Sequence, residues 1–116
     1  MDMIFNIKGN VLIAELFGEL DHHAAGQVRT DIDQAMEAYG TANLVFDFSK
    51  ITFMDSSGIG VILGRYRKLE PEGGKVAIAS CSLTVRNILN MAGIFSIIDY
   101  FDTAEEAIAY LTGKEE

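Results

Sequence analysis

Phe53-Met54-Asp55-Ser56-Ser57-Gly58-Ile59-Gly60 joins two unlike hydrophobic patterns, and the change between them decides the fold. Ahead of it, Leu44-Val45-Phe46-Asp47-Phe48 is a short, nearly continuous apolar run with the pattern of a buried strand. Behind it, Ile59, Ile62, Leu63, Tyr66 and Leu69 recur at helical spacing. A strand that runs straight into a helix is the repeating unit of an α/β sheet. The junction itself carries two hydroxyls and two glycines. The first N–H groups of a helix have no partner within it, and the positive end of its dipole faces outward. Free amides are therefore expected behind Ser56, able to accept added negative charge, including a phosphate on the hydroxyl.

Working outward, residues 3–7 and 11–17 flank the turn Lys8-Gly9-Asn10 and read as a β-hairpin. Asp21 is placed to cap a helix reaching about Tyr39, with Ala25, Val28, Ile32, Ala35, Met36 and Tyr39 as its apolar stripe. Arg29, Asp31, Asp33 and Glu37 form its outward face, and Gly40 closes the end. The chain's one proline, Pro71, lies in the turn Glu70-Pro71-Glu72-Gly73-Gly74. Residues 75–79 form another apolar strand. Ser82 then caps a helix with Val85, Ile88, Leu89 and Ala92 inward, stopped by Gly93. Residues 96–100 predict a short strand. Thr103 and Glu106 have capping-box spacing ahead of a last helix that buries Ala104, Ala107, Ile108 and Leu111. The order β-β-α-β-α-β-α-β-α predicts an α/β fold: a mixed β-sheet of four to five strands with about four α-helices. Right-handed crossovers keep consecutive helices on one side unless the winding reverses, and open α/β sheets usually place their sites at the carboxyl ends of strands.

Composition narrows the function. The chain has 116 residues, 49% of them apolar, which suits one compact core with no linker. Seventeen acidic against nine basic residues leave a net charge of −8, which excludes nonspecific nucleic-acid binding and favours a basic or neutral protein partner. Cys81 is alone, so no internal disulfide forms, and it reads as a small filler near a strand end. The opening Met1-Asp2-Met3-Ile4-Phe5 lacks the features of a signal peptide, and no apolar run approaches the ~20 residues needed to span a bilayer. The expectation is a cytoplasmic protein, monomeric when free, with a solvated acidic end at Lys114-Glu115-Glu116.

Catalytic patterns fail at the central loop. A dinucleotide fingerprint needs a glycine where Leu63 stands, and no Gly-Lys-Ser/Thr is present for a P-loop. A serine-hydrolase elbow needs glycine two residues before the nucleophile, where Met54 or Asp55 is found. Asp55 with His22 or His23 makes a poor triad, and adjacent histidines on a helix point about 100° apart with no third metal ligand in view. Gly60 and Gly64 each cost a helix ~1 kcal/mol relative to alanine. Close packing of that face is one account of them. Another is that Gly58 and Gly60 leave the helix start uncluttered, so that a partner's backbone or a nucleotide can approach Ser56.

Gly18-Glu19-Leu20-Asp21-His22-His23, taken with the run from Phe53 through Gly64-Arg65-Tyr66, resembles the STAS domain family, in its sporulation anti-sigma factor antagonist branch. The resemblance runs from about residue 4 to residue 111, and Met91-Ala92-Gly93-Ile94-Phe95 is similar to a further family stretch. It implies a single STAS domain over residues 1–116 with its core at about 3–112. It also implies a protein switch that is not an enzyme and carries no cofactor or metal. In such a switch the unmodified antagonist binds an anti-sigma factor that is also an ATP-dependent serine kinase, and so frees sporulation sigma factor F. That kinase inactivates the antagonist by phosphorylating one serine, and a PP2C-type phosphatase restores it. The position matched to that serine is Ser56, with Asp21, Asp55, Ser57, Gly58 and Ile59 on the partner-binding surface. Two other readings remain open: a STAS module of another partner-switching pathway, such as a stressosome-like assembly, and a weak nucleotide-binding or hydrolytic protein using the same loop.

Overall fold

The structure is a computed structural model describing residues 1–113; the acidic end expected at residues 114–116 lies outside them. In chain order the elements are β1 (Asp2–Lys8), β2 (Val11–Leu20), α1 (His22–Tyr39), β3 (Asn43–Met54) and α2 (Ser56–Leu69). They continue with β4 (Val76–Ala79), α3 (Leu83–Met91), β5 (Asp99–Phe101) and α4 (Ala104–Thr112), with single 3-10 turns at Glu70–Glu72 and Ile94–Ser96. The strands form one sheet in the order β1-β2-β3-β4-β5. β1 is antiparallel to β2, and every other pair is parallel. This is the predicted mixed α/β sheet with four helices.

The layering follows from the crossovers. The connections through α1, α2 and α3 all step the same way across the sheet, so right-handed winding puts those helices on one face. There Val28, Ile32, Ile62, Val85 and Leu89 pack on Leu12, Leu16, Phe46, Phe48 and Ile78. α4 is not a crossover, since no strand follows it among the described residues. It covers the opposite face, where Ala107 meets Val11, Ile13, Val45, Ala77 and Ala79. With both faces covered at the centre, Leu44, Val45 and Phe46 are all buried, which explains an unbroken apolar run where a half-exposed strand would alternate.

Several expectations need correction. β3 extends to Met54, well past residue 48. Its second half pairs Lys50, Ile51, Phe53 and Met54 with Phe17, Gly18, Glu19 and Leu20, and two register shifts in that ladder break the periodicity that marks a strand in sequence. The last strand begins at Asp99, because residues 94–98 coil instead: Ser96 Oγ donates to the Gly93 carbonyl at 2.7 Å, and the Ile98 N–H donates to Ile94 at 3.0 Å. Tyr39 and Ala92, expected inward, are exposed. Asp33, expected on the solvent face of α1, lies in the α1–α2 seam. Arg65 Nε is 3.2 Å from its Oδ1 and Lys68 Nζ 3.3 Å from its Oδ2.

The glycines of α2 divide in a way the sequence does not reveal. A Cβ on Gly60 or Gly64 meets nothing within 4 Å, so close packing within the chain does not account for either. Gly58 is the packed one. A Cβ there would stand 2.6 Å from the Leu20 carbonyl oxygen, 2.6 Å from Met54 Cγ and 2.9 Å from Leu20 Cγ, so only glycine lets the start of α2 settle against the ends of β2 and β3. In urea unfolding, Gly60→Ala and Gly64→Ala should each gain up to ~1 kcal/mol. Gly58→Ala should lose roughly 1–3 kcal/mol, net of its helix-propensity gain. Equal effects at all three positions would contradict this packing.

Candidate functional site

β2 and β3 run parallel, and their last residues, Leu20 and Met54, are paired. The next residue on each strand is an aspartate, so Asp21 and Asp55 leave the sheet side by side and each caps the helix that follows. Asp21 Oδ1 accepts from the N–H groups of His23 at 3.0 Å and Ala24 at 3.1 Å. Asp55 Oδ1 accepts from the Ser57 N–H at 2.8 Å, while its Oδ2 accepts from the His22 N–H at 3.1 Å. One carboxylate thus serves the first turns of both helices.

This changes the expected picture of free amides behind Ser56. The Asp55 carbonyl already accepts from the N–H groups of Gly58 at 3.1 Å and Ile59 at 3.3 Å, and its side chain holds that of Ser57. Across the seam, His22, His23 and Ala24 are engaged as well. The dipole end is therefore occupied by a resident carboxylate before any other anion arrives. Ser56, the first residue of α2 rather than part of a loop, is exposed, and no hydrogen bond engages its hydroxyl among the described residues. Ser57 and Ile59 are half-buried and Gly58 is buried.

The remaining chemistry of this end is sparse. It is the backbone N–H of His22 that reaches Asp55, so the serine-hydrolase arrangement of imidazole on carboxylate is not what joins these residues. His23 Nδ1 lies 3.8 Å from Asp21 Oδ2, and no group of three potential metal ligands assembles among the described residues. A shallow cavity of about 270 Å³ beside the site is lined by Met1, Phe17, Glu19, Asp21, His23 and Ala24. A larger groove, about 690 Å³, opens instead beside Arg86, Tyr100 and Asp102, and includes none of the predicted site residues. Half-buried Cys81, whose thiol burial pushes up to about 12, fits the filler role. Among the described residues no helix is long and apolar enough to cross a membrane.

Sequence reasoning proposed Asp21, Asp55 and Ser56 as site residues and did not foresee the link from Asp55 to His22. That link depends on strand register, which a single sequence does not display. The sequence profile of the STAS domain family matches residues 2–107. The chain belongs to the STAS domain family. It is 40% identical over 101 residues to the anti-sigma F factor antagonist of Paenibacillus polymyxa, covering 87% of this chain and 86% of that one. The structure of the anti-sigma factor antagonist SpoIIAA in its unphosphorylated form superposes with a TM-score of 0.75 at 34% identity, covering 97% of this chain and 99% of that one. The Bacillus cell fate determinant SpoIIAA in its phosphorylated form gives 0.73 at 34% identity, covering 94% and 98%. Within this STAS domain, Asp55 alone joins β3 to α2, and Ser56 is the first residue of the helix.

Burial would raise the Asp55 carboxyl, but donations from the Ser57, His22 and Gly58 amides, with the nearby His22 ring, more than reverse this and hold it below its ordinary 3.8. A depressed folded value means that the stabilisation is present above 3.8 and is lost as the pH falls through the folded value. Wild type should therefore lose stability in acid faster than Asp55→Asn, and the gap between their melting temperatures should narrow below pH 3.8. A gap that stays constant into strong acid would contradict the charge-assisted double cap.

Proposed function

We propose that this chain is an anti-sigma factor antagonist of the sporulation type, acting in the cytoplasm as a single STAS module and switched by phosphorylation of Ser56. The observation that carries the reading is the exposed, unengaged Ser56 hydroxyl at the start of α2, in a chain 40% identical to a relative named anti-sigma F factor antagonist. The partner is an anti-sigma factor that is also a serine kinase. It docks on Asp21, Asp55, Ser57, Gly58 and Ile59, and releases sigma factor F. In the kinase site, Ser56 Oγ attacks the γ-phosphorus of ATP, ADP leaves, and the hydroxyl proton passes to a base of the kinase. A PP2C-type phosphatase reverses the change by hydrolysis, releasing inorganic phosphate.

The local electrostatics favour this form of switch. Phosphorylation adds about −1.5 to −2 charges. With Asp55 holding the Ser57, Gly58 and Ile59 amides and Asp21 capping the adjacent helix, the new dianion stays outside, flanked by carboxylates. Free in water, that charge is solvated and the fold survives. Under a docked protein it is desolvated without a counter-charge. A loss of ~3 kcal/mol weakens binding about a hundredfold, enough for a switch.

Calorimetric titration with the cognate anti-sigma kinase provides the test. Ser56→Asp should melt within a few degrees of wild type yet bind at least tenfold more weakly. Ser56→Ala should bind like wild type and take up no phosphate from ATP. Unfolding of Ser56→Asp, or its tight binding, would overturn the interface account. Phosphate located by mass spectrometry on Ser57 or Thr52 would overturn the residue assignment.

A further inference from the structure

The two edges of the sheet are protected very differently. β5 is three residues long and begins with Asp99, which leaves little for another strand to pair with. β1 is seven residues long, and its ladder to β2 is unbroken from Asp2↔Phe17 to Lys8↔Val11. Among the described residues nothing pairs with its other side. Proline, bulge and central charge, the usual devices that blunt an edge, are all missing from Met3-Ile4-Phe5-Asn6-Ile7. Ile4 and Ile7 are exposed, at 49% and 38%. The only charges on the strand stand at its two ends and have opposite sign.

We propose that β1 is a self-association edge, and that its occupant is β1 of a second copy, paired antiparallel about Phe5. In that register Asp2 of each copy faces Lys8 of the other, Met3 faces Ile7, and Ile4 faces Asn6. Directly opposed residues in an antiparallel pair share a face with Cβ atoms ~5 Å apart, so each end of the new ladder gains an opposite-charge pair. Met3 and Phe5 already pack on the helix-covered core, and Ile7 lies on their side of the strand. Pairing joins the two apolar rows across the seam and makes one continuous ten-stranded sheet from two sheets of five. A slip of one residue sets the helix-covered face of one copy against the other face of its mate, and a slip of two loses both ion pairs and shortens the ladder.

Charge complementarity is what selects a second copy. Each chain carries a net charge of −8, so two copies repel over most of their surfaces. This edge is uncharged at its centre and complementary to itself at its ends. β2 separates it from β3, so pairing there leaves Ser56 uncovered, and the inference does not depend on the function proposed above. It replaces the monomer expected from composition.

Sedimentation velocity from micromolar to millimolar protein, at physiological salt, tests the proposal. Wild type should shift from monomer to dimer as concentration rises. Asp2→Lys sets lysine against lysine and Lys8→Asp sets aspartate against aspartate, so each alone should weaken association at least several-fold. An equimolar mixture of the two variants should recover the dimer, as should the double variant Asp2→Lys/Lys8→Asp. A general charge effect predicts instead that Asp2→Lys, which lowers the net negative charge, associates better than wild type. That result would overturn the proposal, as would a wild type that stays monomeric or a mixture that fails to recover. Circular dichroism of each variant, matching wild type, shows that the exposed changes leave the fold intact.

Discussion

The carboxylate of Asp55 sits between two helix starts and satisfies both. Its Oδ1 closes the first turn of α2 on Ser57, and its Oδ2 takes the N–H of His22 at the start of α1. Each N–H would otherwise be an unpaired donor at the positive end of a helix dipole. A charged acceptor is worth roughly twice a neutral one there. The same contact fixes the two helix starts relative to each other. Because Asp21 and Asp55 follow paired residues of neighbouring parallel strands, the sheet register and the helix caps are a single constraint seen at two levels.

Everything at this end of the molecule is arranged around that contact. Gly58 is buried because the first turn of α2 must lie against Leu20 and Met54 for Asp55 to reach across to His22. Further along the seam, Asp33 holds Arg65 and Lys68, so α1 and α2 are tied near their starts by one aspartate and farther along by another. Ser56 is what remains on the outside: an exposed hydroxyl next to helix-start amides of which Asp55 already holds those of Ser57, Gly58 and Ile59.

The strand-to-helix alternation, the three caps Asp21, Ser82 and Thr103 and the hairpin turn were legible from the sequence, because each rests on local chemistry; the cap at Asp55 was not read there. What could not be read depends on partners distant in the chain. The second half of β3 lacks alternation and exists only because β2 pairs with it through two register shifts. The division of labour among Gly58, Gly60 and Gly64 is invisible, since all three have the same local signal and only one faces another backbone. The same limit produced the expectation of free amides behind Ser56. Sequence shows that a helix begins there, and only the packed arrangement shows that Asp55 has claimed the Ser57, Gly58 and Ile59 donors and one of its neighbour's.

Phosphorus-31 NMR titration of the chain carrying phosphoserine at position 56 tests that claim most directly. If Asp55 keeps the amides of His22, Ser57, Gly58 and Ile59, the phosphate gains none of them and lies among carboxylates. Its second ionisation then falls at or above the ordinary value of about 6. A value well below 6 would mean that the phosphate has taken over the amides assigned to Asp55, and would contradict the account.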